Sequence, residues 1–238
     1  MTKAKRCFGT PPPGLDLSRL TGALIVIEGP DSSGRSTHVG LLAEWLEQNG
    51  YPVVQIGLKR SRLVGNELEA AKEGNVLSPR TMSLFYATDF YDQLENTMVP
   101  ALRAGSVVLA DRYTFTPMAR DVVRGADADW LDSLYSKALV PDAVFYLQVS
   151  DRTLVDRTLA SHGGLDYWES GMDLGLERDW FGSFIKYQRR VRAEFHKLHK
   201  RYDFSIVNAN RSIDTIHAEL KDRVRRVLQS IHPNQSIS

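Results

Sequence analysis

Cysteine is almost absent from the sequence, since Cys7 is the single thiol among 238 residues. An intramolecular disulfide and a zinc cluster ligated by several cysteines are therefore excluded. Long apolar runs are missing as well, and none approaches the ~20 residues that a membrane-spanning helix requires. The first residues are basic, but no apolar segment follows them, so they do not predict a secretory signal. We therefore expect a protein of the reducing cytoplasm that makes no use of a membrane.

An excess of charge of either sign is also missing. Lys and Arg number 30 and Asp and Glu number 29, giving a formal net charge of +1. A global electrostatic field for binding DNA or RNA is thereby excluded, and any attraction for anions must come from local clusters. Hydrophobic residues make up 42% and charged residues 25% of the chain. This balance is typical of a globular protein with a real core.

Residues 1–20 are predicted to form a flexible N-terminal arm, because the run from Pro11 to Gly14 favours extended backbone. Cys7 would then be a tolerated thiol within that arm. Residues 21–231 carry no linker or repeat and predict one domain. Residues 232–238 predict a short polar tail.

Strand and helix patterns alternate along this domain. Five apolar segments predict buried strands: residues 23–27, 52–56, 106–110, 143–149 and 204–207. Ser78 followed by Pro79 predicts the start of a helix that runs towards Pro100. Two later helices show apolar stripes at spacings of three and four, at Trp180, Phe184, Tyr187, Val191, Phe195, Leu198 and Tyr202, and again from Ile213 to Ile231. The alternation predicts an α/β fold, with a five-stranded parallel sheet between helical layers and ligands beyond the carboxyl ends of the strands.

A glycine-containing loop follows the first predicted strand and opens a helix. Its residues are Gly29, Pro30, Asp31, Ser32, Ser33, Gly34, Arg35, Ser36 and Thr37. In this context the spacing predicts a phosphate-binding loop, whose backbone N–H groups and helix N-terminus attract an anion such as the phosphates of ATP. The Ser36 hydroxyl is the expected Mg²⁺ ligand, and Thr37 is placed to assist it.

Arg35 stands where such loops carry a lysine. Lysine is a compact point charge, whereas arginine is a planar fork that binds phosphate bidentately. We expect nucleotide binding to survive with altered geometry. A site that binds without catalysis remains the alternative at this point.

A second group of polar residues follows the strand at residues 106–110. Asp111 is placed to hold Mg²⁺ through water, and Arg112 to reach a phosphate. A structural Asp–Arg ion pair is the alternative reading of these two residues.

Together these segments resemble the thymidylate kinase family of P-loop nucleoside monophosphate kinases. The resemblance spans residues 24–231, and its matched segments are IEGPDSSGRST (27–37), LKRS (58–61), LFYATD (84–89), ADRYTFTPMARDVVRG (110–125) and GGLDYWESG (163–171). It implies a P-loop NTPase fold, phosphoryl transfer from MgATP to dTMP, a mobile lid over about residues 162–176 and a homodimer.

The resemblance also implies roles for individual residues. Asp31 would lie near the acceptor sugar, Arg60 and Arg112 would contact the acceptor phosphate, and Phe85 would stack on thymine. Asp111 would be the Mg²⁺-linked acid, Tyr113 would pack against the sugar, and Thr116 matches a serine of the same segment. The candidate catalytic residues are thus Asp31, Arg35, Asp111 and Arg112.

The sequence departs from the family pattern at the site itself. Asp89 stands where an arginine directed at thymidylate is usual, which leaves an acid that would repel a nucleotide phosphate. Arginines expected in the lid and in the loop are missing as well, so Arg178, Lys186 and Arg189 are the candidates to replace them. Two alternatives to a dTMP kinase therefore stay open: a kinase of the same fold with a different acceptor, and a nucleotide-binding regulatory protein with weak catalysis.

Overall fold

A computed structural model describes residues 4–74, 77–162 and 165–231 of the chain. The predictions made for residues 1–3, for the polar tail at 232–238 and for Gly163 and Gly164 of the lid lie outside this part.

The core of the fold is a five-stranded parallel sheet with strand order β2-β3-β1-β4-β5. The strands are β1 (Ala23–Glu28), β2 (Val53–Gly57), β3 (Val107–Asp111), β4 (Ala143–Gln148) and β5 (Ser205–Asn208). Every residue of β1 and β3 is buried, as expected for strands covered on both faces. Ile27 lies beside Asp111 in the register of these two strands. The predicted α/β fold is confirmed, and the carboxyl ends of β1 and β3 place the two polar segments next to each other.

Helices cover both faces of the sheet. They are α1 (Arg35–Gln48), α2 (Gly65–Gly74), α3 (Pro79–Gln93), α4 (Val99–Arg103), α5 (Phe115–Val123), α6 (Ala128–Leu134), α7 (Asp151–His162), α8 (Trp180–Tyr202) and α9 (Ile213–Ile231). Short 3₁₀ turns occur at Leu17–Arg19 and Met172–Leu174. One layer packs α1 and α9 against Ile25 and Ile27 of β1, and the opposite layer packs α3, α4, α5 and α8 against Leu24 and Val26.

The helix predicted from Ser78 begins as expected, because the Ser78 hydroxyl accepts a hydrogen bond from the Thr81 amide at 3.4 Å. Its end differs from the prediction. A π-helical turn, Leu94–Met98, joins α3 to α4. Pro100 lies in the first turn of α4 and has no N–H to donate, so a widened turn ahead of it avoids a lost hydrogen bond. The stripe on α8 is also shorter than predicted, since Trp180 in its first turn is 46% exposed.

The N-terminal segment differs from the expected free arm over its described residues. Cys7 is buried and forms an antiparallel bridge with Leu139, and Lys5 forms an ion pair with Asp142. The Phe8 ring packs edge-on against Tyr202 at a centroid distance of 5.0 Å. Residues 5–8 therefore pack against the domain. The composition of the segment did not predict this packing.

Candidate active site

The phosphate-binding loop has a backbone that requires its glycines. Gly29 has φ of 152°, and a Cβ there would lie 2.9 Å from the Leu147 carbonyl oxygen. Gly34 has φ of 92° and directly precedes α1. Both glycines adopt conformations that L side chains rarely accept. The chain thus turns from a buried strand into a helix N-terminus, the arrangement that the spacing predicted.

Arg35 is bound within its own loop. Its Nε donates to Asp111 Oδ1 at 3.0 Å, and its Nη1 donates to the carbonyl oxygens of Gly29 and of Pro30, the latter at 2.6 Å. The side chain is buried at 8% exposure. The planar guanidinium group therefore links the loop to the end of β3. A lysine ammonium group at this position would form fewer directed hydrogen bonds.

Asp111 also meets the other expected ligand of a metal ion. The Ser36 hydroxyl donates to Asp111 Oδ2 at 2.7 Å, and Arg60 Nη2 lies 3.6 Å from the same oxygen. A hydroxyl and a carboxylate at this spacing supply the hard oxygen ligands that Mg²⁺ prefers. Residues 4–74, 77–162 and 165–231 contain no cluster of three or more His, Cys, Asp or Glu side chains that could bind a metal ion. Ser36 and Asp111 are the candidate protein ligands for such an ion.

Asp31 joins the loop to the opposite wall of the site. Its carboxylate contacts Arg112 and Arg120, and Arg35 Nη2 lies 3.6 Å away. Arg120 lies on α5 and was not among the predicted site residues. Its position nine residues after Asp111, on a helix leaving the same strand end, was the available signal. Three guanidinium groups around one carboxylate leave an excess of positive charge suited to a phosphate.

Arg112 is held under strain within this cluster. Its φ is 72°, and its amide donates to the Ile27 carbonyl oxygen at 3.0 Å. Burial and the neighbouring charge of Arg120 lower the pKa of Arg112 to about 9. Its Nε is buried and meets no hydrogen-bond acceptor in the described chain. An anionic ligand would satisfy this donor and offset the repulsion between the two guanidinium groups.

Asp89 and Arg112 line the same small cavity, but the hydrogen bonds of the Asp89 carboxylate go to the turn after β2 and to Gln93. Its carboxylate accepts hydrogen bonds from the amides of Lys59 and Ser61, both at 2.8 Å, and from Gln93 Nε2 at 3.1 Å. Burial raises its pKa, and the two amide bonds oppose that effect. Asp89 thus fixes the turn after β2, where Lys59 has φ of 63°. The residue in the middle of that turn is Arg60.

Three other predicted site residues have different surroundings from those expected. The Tyr113 ring is 1% exposed, and its hydroxyl donates to the Leu139 carbonyl oxygen at 2.8 Å, so this ring belongs to the core. The Thr116 hydroxyl donates to Glu28 Oε2 at 2.6 Å. Phe85 is half-buried on α3, but Tyr86, the next residue, lines the adjoining pocket.

This pocket opens beside Arg120, between α3, α5 and the segment before α8. Its lining combines apolar, aromatic and charged side chains: Leu58, Lys72, Pro79, Met82, Tyr86, Pro117, Arg120, Asp121, Arg124, Trp168 and Tyr187. Such a mixture is typical of a site for a small organic ligand. Because Arg120 contacts Asp31, the pocket and the phosphate loop share one boundary.

The described part of the predicted lid, from Leu165, closes over this pocket. Trp168 Nε1 donates to the Lys72 carbonyl oxygen at 2.9 Å, which ties the segment to α2. Arg124 donates to Asp173 Oδ2 at 2.8 Å, to the Trp168 carbonyl oxygen at 2.9 Å and to the Tyr187 hydroxyl at 2.5 Å. Arg124 therefore connects the lid to α5, and the sequence analysis did not single it out.

The cations expected to come from α8 are engaged elsewhere. Lys186 pairs with Glu177 at 2.5 Å, and Arg189 donates to Asp151 Oδ2 at 2.9 Å. A different arginine, Arg157 of α7, donates to the Ser33 carbonyl oxygen of the phosphate loop at 3.2 Å. Arg120 and Arg157 are therefore two cations outside the predicted set that contact the loop.

A glycine-containing loop at the end of β1, a hydrogen-bonded Asp–Ser pair beside it and a cationic cluster against a lined pocket are the arrangement of a P-loop nucleotide phosphotransferase. The family model for thymidylate kinase matches residues 27–220. The chain belongs to the thymidylate kinase family, whose members are nucleoside monophosphate kinases.

Individual relatives agree with this assignment. The chain is 34% identical over 203 residues to a probable thymidylate kinase 2 from Saccharolobus solfataricus, covering 85% of this chain and 95% of the relative. It is 32% identical over 209 residues to a probable thymidylate kinase from Thermococcus onnurineus, covering 82% and 94%. A thymidylate kinase from Exiguobacterium is 32% identical over 219 residues, covering 88% and 97%. Within the described chain, every helix is too short or too polar to cross a membrane.

Proposed function

We propose that the protein transfers the γ-phosphoryl group of ATP to dTMP, giving ADP and dTDP. The observation that carries this proposal is the position of Asp31. It belongs to the phosphate loop, yet it contacts Arg112 and Arg120 on the side of the lined pocket. One cluster would thus border both the donor phosphate and the acceptor phosphate, as in-line transfer requires.

On the donor side, the N–H groups of the loop and the N-terminus of α1 would bind the phosphates of ATP. Ser36 and Asp111 would hold Mg²⁺, which supplies charge neutralisation to the phosphates when bound. Arg35 would keep the loop in its binding conformation, because its donors are engaged with Asp111 and two loop carbonyls. Arg157, bonded to Ser33, would add positive charge near the donor.

On the acceptor side, Arg60, Arg112 and Arg120 would bind the phosphate of dTMP. Arg60 is 41% exposed and is carried by the turn that Asp89 fixes. The pocket lined by Leu58, Met82 and Tyr86 would receive the thymine base. Closure of the segment around Trp168 would exclude water and so limit hydrolysis of ATP.

The reason for considering an acceptor other than dTMP was the acid at position 89. The Asp89 carboxylate is bonded to backbone amides of the turn and to Gln93, and Arg112 lines the same small cavity, so its negative charge has partners within the protein. Arg120 offers the site a cation from α5 instead. dTMP is therefore the acceptor favoured here.

The proposal includes a cytoplasmic homodimer. The cytoplasm is supported by the single, buried cysteine, which needs no oxidising compartment. The dimer is supported only by the family resemblance. Sedimentation at micromolar concentration tests it, because a species of one chain mass would contradict it.

The activity is tested by incubating the purified protein with MgATP and a panel of nucleoside monophosphates while ADP and diphosphate products are quantified together. We expect equal amounts of ADP and dTDP, with dTMP the best acceptor. ATP binding without product from any acceptor would contradict the proposal and favour a regulatory nucleotide-binding protein. Preferred turnover of another monophosphate would identify a different acceptor.

A further inference from the structure

One buried acid beside the phosphate loop has no part in the reaction proposed above. Glu28 is the last residue of β1, directly precedes Gly29 and is 0% exposed. Burying a carboxylate is costly unless its partners compensate for the lost water. The partners of Glu28 therefore indicate what this side chain does.

Both oxygens of Glu28 bind the segment that follows Arg112. Oε1 accepts a hydrogen bond from the Tyr113 amide at 2.9 Å, and Oε2 accepts one from the Thr116 hydroxyl at 2.6 Å. Two accepting oxygens are the pattern of an ionised carboxylate. Glu28 therefore links the strand before the phosphate loop to the bend at Arg112.

This bend needs support because its backbone is strained. A φ of 72° places Arg112 in the left-handed region, which residues other than glycine rarely adopt. Strained conformations persist where the surrounding structure fixes them. The Arg112 amide donates to the Ile27 carbonyl oxygen at 3.0 Å, and the Tyr113 amide donates to Glu28. Two successive residues of β1 thus hold the amides on either side of the Arg112 Cα.

Glu28 also brings negative charge close to two buried guanidinium groups. Burial lowers the pKa of Arg112 to about 9, and the charge of Glu28 opposes this effect. Burial raises the pKa of Glu28, whereas its two hydrogen bonds and the charges of Arg35 and Arg112 oppose that rise. The acid and the two cations therefore stabilise one another in their charged forms.

We propose that Glu28 is a positioning residue, whose ionised carboxylate holds Arg112 in the conformation that binds the phosphate of the acceptor. Asp31 contacts the end of the Arg112 side chain, whereas Glu28 fixes the backbone of the bend, so the two acids have separate roles. The inference rests on the proposed function, in which Arg112 is a ligand of the acceptor phosphate. Glu28 acts through Arg112 and does not touch the reacting atoms.

The test separates the charge of Glu28 from its hydrogen bonds. Glu28→Gln removes the charge but keeps an oxygen for the Tyr113 amide, and its new amide group can donate to the Thr116 hydroxyl. Thr116→Val removes one hydrogen bond and keeps the charge, and Thr116→Ser is its matched control because serine retains the hydroxyl. Glu44→Gln, at an exposed position of α1, is the control for the loss of a negative charge elsewhere.

Calorimetry measures the binding of inorganic phosphate to protein whose phosphate loop is already filled with the magnesium complex of a non-hydrolysable ATP analogue. Turnover of dTMP with MgATP is followed in parallel. We expect Glu28→Gln to weaken phosphate binding and to raise the KM for dTMP by about tenfold or more, and Thr116→Val to do so by about threefold. The affinity for the ATP analogue should change little, and both controls should match the wild type.

The difference between the two ligands distinguishes positioning from a merely structural role. A general loss of structure would lower the Tm and weaken the binding of the ATP analogue as well, whereas a displaced Arg112 weakens the binding of phosphate alone. If Glu28→Gln does not fold, the two Thr116 variants decide, because both keep the carboxylate. Equal phosphate binding by these two variants would then overturn the inference.

An unchanged phosphate affinity in Glu28→Gln, or equal losses in Glu28→Gln and Glu44→Gln, would overturn the inference even if dTMP is phosphorylated. A wild type that binds no phosphate beside the ATP analogue would overturn it as well. Conversely, weakened phosphate binding in Glu28→Gln, with no turnover of dTMP by the wild type, would support the role of Glu28 and contradict the proposed kinase activity.

Discussion

Two acidic residues of the matched segments, Asp31 and Asp89, have opposite surroundings. Asp31 is contacted by guanidinium groups from the loop, from the end of β3 and from α5. Asp89 is bonded to two backbone amides and a glutamine. Asp31 therefore organises charge at the site, whereas Asp89 organises the turn that carries Arg60. An acidic residue in a nucleotide-binding segment can therefore either hold cationic groups in the site or stabilise a nearby turn. Its ion-pair and hydrogen-bond partners show which of the two roles it has.

Asp31→Asn should give the largest effect in this comparison. Loss of the carboxylate leaves three arginines without their shared partner, so we expect activity to fall by about 100-fold through misplaced cations. The free energy of unfolding should fall by about 3 kcal/mol, as for a buried ion pair that loses one partner. Inorganic phosphate should restore much of this stability, because an anion replaces the missing charge. Thermal unfolding with and without phosphate, alongside initial rates, measures both effects.

Arg120→Met should remove one cation from the acceptor side. We expect the KM for dTMP to rise by about 10- to 100-fold, since a charge-assisted bond to phosphate is lost, while ATP affinity changes little. Arg190→Met, on the exposed face of α8, is the matched control and should leave both parameters unchanged. Equal effects in the two variants would contradict the role given to Arg120.

Asp89→Asn should act through the turn. The amide replaces one acceptor by a donor and meets the N–H groups of Lys59 and Ser61, so the free energy of unfolding should fall by about 1–3 kcal/mol. The KM for dTMP should rise by about tenfold through displacement of Arg60. In contrast to Asp31→Asn, phosphate should give no selective restoration of stability. A large gain in dTMP affinity would instead indicate that Asp89 repels the acceptor.

Asp121 is a third buried acid, and its Oδ2 has no hydrogen-bond partner in the described chain. Replacing it should change the free energy of unfolding less than the substitutions above. Burial raises its pKa to about 6, and the Ser83 hydroxyl and the positive charges of Arg124 and Arg120 oppose that rise. The hydroxyl groups of Tyr86 and Tyr135 also interact electrostatically with the Asp121 carboxylate. Since the folded state binds this proton more tightly than the unfolded state, stability falls as pH rises through the folded pKa. Asp121→Asn should therefore gain about 1 kcal/mol relative to the wild type between about pH 5 and pH 7, as measured by denaturant unfolding at each pH.

The fold could be predicted from the sequence because apolar runs and stripes report directly on burial. β1 and β3 appear as continuous apolar segments, and both are wholly buried. The loop was equally predictable, since Gly29 and Gly34 are required by its backbone. The packing of Cys7 and Phe8 was not, because it depends on Leu139 and Tyr202, which are distant in sequence.

The candidate site was only partly predictable from the sequence, because many of its contacts join residues that are distant in sequence. The structure brings together Arg35, Asp111 and Asp31, which the sequence predicted as site residues. The sequence did not predict that the Arg35 guanidinium group would donate to loop carbonyls. Arg120 and Asp121 lie on α5 and Arg124 directly follows it; the position of this helix after β3 was a signal for Arg120, but it did not tell which residues line the pocket. Side-chain partners are set by the tertiary arrangement of α3, α5 and the lid, which local spacing does not determine.

In the proposed reaction, donor and acceptor phosphates meet at the cluster of Asp31, Arg112 and Arg120. The most direct measurement is a calorimetric titration with adenosine and thymidine joined through their 5′ positions by five phosphates. We expect one ligand to bind per chain, at least about 100-fold more tightly than ATP or dTMP alone, because both sites are filled in a single binding event. Binding no tighter than that of ATP, with dTMP still able to bind alongside, would contradict it.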